Sequence, residues 1–314
     1  MLRRPRRRTA LPARRRLASR RRFAAALALA GALAVAGARA AQAAPPVVVA
    51  TIEPVAMIVR ELVRDPAAVS TLVPPGASPH HFDPRPSDVA RLADAALLVA
   101  VGGELDRWAE RLLGAAGRPI EVLRLLEVPG ADPLPSGAPG AAPDPHLWLD
   151  PIRVRDALAP AIAERLARLD PAGAADTAAR LADFQQRLGR LDAELRATLA
   201  GRGRAYVAFH AAWRYFGARY GLEEVGVVQE APGEEPTPRE LARLAEAARR
   251  AGVRAILVEP QLDPRVARTL AAEFGGETVQ VDPNGDPRDP ERARYEALLR
   301  WNARAFARAL GPAS

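Results

Sequence analysis

The chain has no cysteine, no lysine, only four histidines and few aromatic residues, 5% of its 314 positions. Without thiols there is no disulfide, no thiolate metal site, no cysteine nucleophile and no cysteine to carry a lipid anchor, so any metal must be held by nitrogen and oxygen. The missing lysine, with all 45 basic residues arginine and alanine frequent throughout, reads as the coding bias of a GC-rich genome. It says little about function. The apolar run from Phe23 to Ala38 is dominated by alanine and glycine, too short and too weakly apolar to read as a membrane span.

What is present is a length that suits one large or two medium domains, with 49% hydrophobic residues, which excludes global disorder. The net charge is +8, but residues 1–40 hold twelve arginines and no acid, so the rest of the chain carries −4. That remainder has no charge reason to bind nucleic acid. The Arg-rich stretch Arg3 to Arg22, the apolar run after it, and the small residues Ala38-Arg39-Ala40 and Ala41-Gln42-Ala43 have the layout of a secretory signal peptide. It covers residues 1–43 and is cut after Ala40 or Ala43. Ser19-Arg20-Arg21-Arg22-Phe23 also has the form of a twin-arginine signal, so the Sec and twin-arginine routes both stay open.

Beyond the leader, short β-rich apolar runs alternate with amphipathic stretches, the pattern of an α/β fold with parallel sheets covered by helices. Strands are expected at Val47–Ala50, Val69–Val73, Ala96–Val101, Arg204–Phe209, Ala255–Val258 and Thr278–Val281. Helices are expected at Val55–Arg64, Pro86–Ala95, Pro151–Leu169, Thr237–Ala251 and Pro264–Phe274. Pro171 to Leu199 has no internal proline, and Leu181, Phe184, Leu188, Leu191 and Leu195 recur at steps of three and four, predicting one helix of about 40 Å. It separates two groups of strands, so the expected organisation is an α/β lobe at 44–169, a connecting helix at 170–200 and a second α/β lobe at 201–314. Val128–Pro143, rich in Pro, Gly and Ala, reads as a surface loop.

The histidines stand at 80, 81, 146 and 210, each beside a turn or a strand end. His80 follows the strand ending at Val73, His146 sits in Asp144-Pro145-His146, His210 ends Tyr206-Val207-Ala208-Phe209, and Asp282 ends Val279-Gln280-Val281. In open parallel sheets the ligand crevice lies outside the carboxyl ends of the strands, so these groups, two from each half, are expected to converge between the lobes. Three neutral imidazoles and a carboxylate make a complete set for Zn²⁺; with a further oxygen they could serve Mn²⁺. Binding of this kind should weaken as pH falls through the imidazole pKa near 6.5.

At these residues the chain resembles the metal-specific solute-binding proteins of ABC transporters, zinc- and manganese-binding periplasmic proteins and their surface-lipoprotein relatives. The matching segments include Gly76-Ala77-Ser78-Pro79-His80, Val101-Gly102-Gly103-Glu104-Leu105 with Trp108, Asp144-Pro145-His146-Leu147-Trp148-Leu149-Asp150-Pro151, Phe209-His210, Glu235-Pro236-Thr237-Pro238, Val258-Glu259-Pro260-Gln261 and Val281-Asp282-Pro283. The resemblance implies two Rossmann-like lobes of parallel sheet and helices, joined by one long rigid helix, with the ion in the cleft. It implies His80, His146, His210 and Asp282 as ligands, an inner-membrane permease with its ATPase as partners, a periplasmic monomer, and no catalysis. Three histidines lean toward zinc, with manganese or iron as the alternative. Many zinc members carry a His- and Asp-rich loop before the second ligand; Val128–Pro143 has no histidine and one acid, Asp132.

His81 and Glu259 are expected to flank or orient the ligands rather than bind the ion. Trp108 and Trp148 could wall the site. A secreted zinc hydrolase is the leading rival, since three protein ligands and a water make a catalytic zinc site, but no His-Glu-x-x-His or other placed base is present. The second rival is a binder of organic solutes, whose cleft would need an arginine or aromatic cage.

Overall fold

Val and Leu runs too short for helices pair as eight strands in the computed structural model, which describes residues 45–313 apart from 138–140, 231, 232 and 234. The expected leader lies outside the described residues. In the first half, β1 (Val48–Ala50), β2 (Val69–Thr71), β3 (Leu97–Ala100) and β4 (Glu121–Arg124) form a parallel sheet in the order β2-β1-β3-β4. In the second, β5 (Ala205–His210), β6 (Glu223–Gln229), β7 (Ala255–Val258) and β8 (Glu277–Gln280) repeat that order as β6-β5-β7-β8. The central strands β1, β3 and β7 are buried at every position, as a sheet covered on both faces requires. Two strands, β4 and β6, have no counterpart among the expected runs. Both are edge strands with charged or glycine positions and only partial burial, so their sequences lack the continuous apolar signal.

Helix starts follow local chemistry. Thr237 and Glu240 form a reciprocal capping box ahead of Pro238–Arg250, and the Asp150 carboxylate accepts from the amides of Ile152 and Arg153. The long helix runs from Ala174 to Leu199, 26 residues, or about 39 Å at 1.5 Å per residue. It begins three residues later than the apolar periodicity suggests. Pro171–Gly173 form a separate 3₁₀ turn closed by the Asp170 side chain on the Gly173 amide at 3.0 Å.

This helix buries Phe184, Leu188, Leu191, Leu195 and Leu199, and packs against Glu53–Leu62, Ala159–Leu169 and the last helix, Tyr295–Leu310. Arg187 at its middle binds Glu61 at 2.7 Å and also Glu296, one acid from each half of the chain. The two lobes therefore do not own separate cores. One apolar cluster runs from Val49 and Leu98 through Leu188 and Leu191 to Trp213, Phe216 and Phe306, while a smaller cluster around Ile256 and Leu270 fills the outer face of the second sheet. Val128–Pro143 is a loop with its own closure: Pro135 pairs with Pro143 as an isolated antiparallel bridge, and the Asp144 amide donates to the Leu134 carbonyl at 2.7 Å.

Candidate metal centre

His210 is the last residue of β5, His80 sits on the 3₁₀ turn Pro79–His81 beyond β2, and His146 caps the 3₁₀ turn Leu147–Leu149. The structure brings the three rings together: centroids are 4.8 Å apart for His80 and His210, 5.0 Å for His146 and His210, and 5.5 Å for His80 and His146. One nitrogen from each lies within 4.8 Å of the others. Two nitrogens on one tetrahedral zinc are about 3.3 Å apart, so the rings need close in by no more than about 1.5 Å. The cavity they share has a volume of about 20 Å³ and is also lined by Glu259, Gln261 and Asn284.

Each ring has a different support. Trp108 donates its indole N–H to the Pro79 carbonyl at 3.2 Å, steadying the turn that carries His80. His146 places Nδ1 at 2.8 Å from Asp144 Oδ1, and its own amide donates to the same oxygen at 2.9 Å. This pairing leaves Nε2 as the free donor atom toward an ion. His210 Nδ1 lies 4.0 Å from Glu259 Oε1, which accepts from the Trp213 indole N–H at 3.0 Å. Among the described residues three buried polar atoms around the rings have no partner: His80 Nε2, Asp144 Oδ2 and Glu259 Oε2. Burial pushes the Glu259 carboxyl up to about 8.

Desolvation, with the neighbouring His146 and His81 rings adding to it, lowers the His80 pKa to about 3. His210 is held well below its ordinary value by the same burial, then by His146 and His80. Both rings are therefore neutral, as ligation requires, far below the pH of 6.5 expected from an unperturbed imidazole.

The segment Asp144–Asp150 precedes the long helix in the chain yet is fastened to the second half. Tyr215 donates its hydroxyl to the Asp144 carbonyl at 2.8 Å and Tyr295 to the Trp148 carbonyl at 2.7 Å. Trp148 donates to the Pro283 carbonyl at 2.8 Å, and Arg219 forks onto both oxygens of Asp150 at 2.8 and 2.9 Å. His146 and His210 are thus set by one body of structure.

Of the other expected residues, Glu259 lines the site beside His210. His81 is exposed, with its ring Nε2 close to Gly233. Asp282 is buried at the end of the second sheet but does not share the 4.8 Å set; its carboxylate faces Arg292 and the turn amides of Asn284 and Gly285. Sequence reasoning did not assign Asp144, Tyr215 or Arg292. Asp144 stands two residues before His146, a signal that was available; Tyr215 and Arg292 have no spacing that marks them.

A family model for the periplasmic component A of zinc-uptake complexes matches residues 48–309. The high-affinity zinc uptake system protein ZnuA of Paracoccus denitrificans is 30% identical over 309 residues, covering 86% of this chain and 94% of its own. ZnuA of Bacillus subtilis is 27% identical over 243 residues, covering 74% and 76%. A solved ZnuA deletion mutant with zinc bound superposes with a TM-score of 0.75 at 29% identity, over 85% of this chain and 98% of the other. The periplasmic zinc-binding protein TroA of Treponema pallidum, at 22% identity and a TM-score of 0.76 over 85% and 100%, shares the fold.

Proposed function

Since the chain belongs to the zinc-uptake component A family of periplasmic proteins, solute-binding proteins and not enzymes, we propose that it captures a divalent ion, zinc first, between its two lobes. His80, His146 and His210 hold the ion, and the loaded protein delivers it to the permease and ATPase of an ABC importer. The observation that carries this reading is the set of three nitrogens within 4.8 Å of one another, with His80 and His210 kept neutral by burial and His80 Nε2 lacking any other partner among the described residues.

The scale of the cavity supports an ion rather than an organic solute. About 20 Å³ suits a single ion or water, whereas small-molecule sites need roughly 300–1,000 Å³. Imidazole nitrogen favours zinc over manganese, and supported rings lower the reorganisation needed on capture. Nine of the ten residues from Phe23 to Ala32 are alanine, leucine or phenylalanine, consistent with export through a cleaved leader into the periplasm.

Competition titration of metal-stripped protein tests the reading. One equivalent of Zn²⁺ should bind, and His80→Ala, His146→Ala and His210→Ala should each weaken it by about 100-fold or more. Unchanged affinity in any two of these variants would remove the three-histidine site. Transport by cells carrying the wild-type or His146→Ala protein tests delivery.

A further inference from the structure

One short segment serves two of the three imidazoles. His210 ends β5, and the chain turns at once into the helix Arg214–Tyr220. From its start Trp213 reaches back to Glu259, beside His210, and Tyr215 reaches across to Asp144, beside His146.

Asp144 holds His146 with half of its carboxylate. Oδ1 takes both the His146 amide and ring Nδ1, while Oδ2 has no partner among the described residues. The terminal torsion of an aspartate is broad, so a carboxylate held on one oxygen depends on its backbone for its aim. That backbone is pinned on both sides. The Asp144 amide donates to the Leu134 carbonyl at 2.7 Å, and its carbonyl accepts from the Tyr215 hydroxyl at 2.8 Å.

The Tyr215 hydroxyl is committed in both of its roles, since it also accepts from the Leu134 amide at 3.0 Å. Leu134, Tyr215 and Asp144 therefore close one hydrogen-bonded ring. Tyr215 is itself buried and held in place: the Arg153 guanidinium lies 5.1 Å over its ring, and Arg153 donates to the Ala131 and Asp132 carbonyls. Burial pushes the hydroxyl up to about 12, so it keeps its proton and remains a donor.

We propose that Tyr215 is a positioning residue of the metal centre: its hydroxyl fixes the Asp144 backbone, Asp144 fixes the tautomer of His146, and Nε2 is left bare toward the ion. The inference depends on the reading of His146 as a ligand and adds to it the group that prepares that ligand. Through Leu134, the loop Val128–Pro143 belongs to the same support.

The test is a mutant cycle on the whole exported protein, metal-stripped, with Zn²⁺ as the probe and affinity read by competition. Tyr215→Phe removes only the hydroxyl. It should lower affinity by about 10-fold in the wild-type background and equally in His80→Ala, because His146 is present in both. In His146→Ala it should change affinity by less than about twofold, since the residue it acts through is gone. A loss of the same size in all three backgrounds is a general structural effect and overturns the inference, as does no loss in wild type.

Imidazole ¹⁵N NMR of the metal-free protein reads the tautomer directly. Wild-type His146 should carry its proton on Nδ1, and Tyr215→Phe should show both tautomers; an unchanged tautomer in the variant overturns the inference. Should Tyr215→Phe not fold, Arg153→Gln takes its place in the cycle, removing the cation over the ring and leaving the hydroxyl. A loss confined to backgrounds that retain His146 upholds the inference; an equal loss in all, or none, overturns it. A His146→Ala protein that binds Zn²⁺ as tightly as wild type defeats the reading of His146 as a ligand, a result distinct from zinc binding that ignores Tyr215.

Discussion

At His146 a single oxygen of Asp144 receives both the backbone amide and ring Nδ1, so one carboxylate sets the position and the tautomer of a proposed ligand together. Asp144→Asn should keep the fold and lower Zn²⁺ affinity by about 10–100-fold, read by competition titration; an unchanged affinity would deny it that part. The same scale governs pH. His80 and His210 have folded-state pKa values below the unfolded 6.5, so below that pH the unfolded chain binds protons that the folded chain refuses. Stability of the metal-free protein should therefore fall as pH drops from about 6.5 toward about 3, the His80 value, each such ring contributing up to about 1.4 kcal/mol per unit. Urea melts at pH 7.5, 5.5 and 4.5 check the sign. Proton competition for the ion is displaced in the same direction, below the point expected for a free imidazole. The histidines were legible as candidates because so few occur and all flank turns; their depressed pKa was not, because burial is a tertiary property.

Among the elements, the helix Ala174–Leu199 has the clearest task. Its apolar stripe meets helices from both halves, and Arg187 bridges Glu61 and Glu296 across it. Leu191→Ala should cost about 2–5 kcal/mol, measured by chemical denaturation, because the side chain is wholly buried where the lobes share their core. A loss under about 0.5 kcal/mol would mean that the site collapses without a cavity. The periodicity of this helix was readable because a long amphipathic stretch repeats its signal over many turns. Edge strands β4 and β6 were not, since partial exposure lets Glu121, Arg124, Glu223 and Gly226 interrupt the apolar pattern. The Pro/Gly-rich loop was recognised as a loop, but the Pro135–Pro143 bridge that closes it depends on residues eight apart meeting in space.

For the whole molecule, the continuous apolar cluster makes the lobes thermodynamically inseparable. Calorimetry of the metal-free protein should give one transition in which tertiary signals from both halves disappear together. Two resolved transitions would contradict a shared core. On the proposed three-histidine site, zinc would bind only the folded chain, so saturation at about 100 times Kd should add about 2.7 kcal/mol of stability and raise the melting temperature. Failure of zinc to shift the melt of a protein that binds it would imply equal affinity for the unfolded chain.

By itself the amino-acid order determined the alternation of strand and helix, the long connector and the small set of nitrogen and oxygen groups available to a metal, because these are written in local periodicity and scarce residue types. Only the tertiary structure decided that His146 is fastened to the later half of the chain, that burial keeps His80 and His210 neutral, and that Arg292 holds the Asp282 carboxylate. Those outcomes depend on partners 10 to 147 positions apart in sequence, brought together by packing and desolvation that no local pattern encodes.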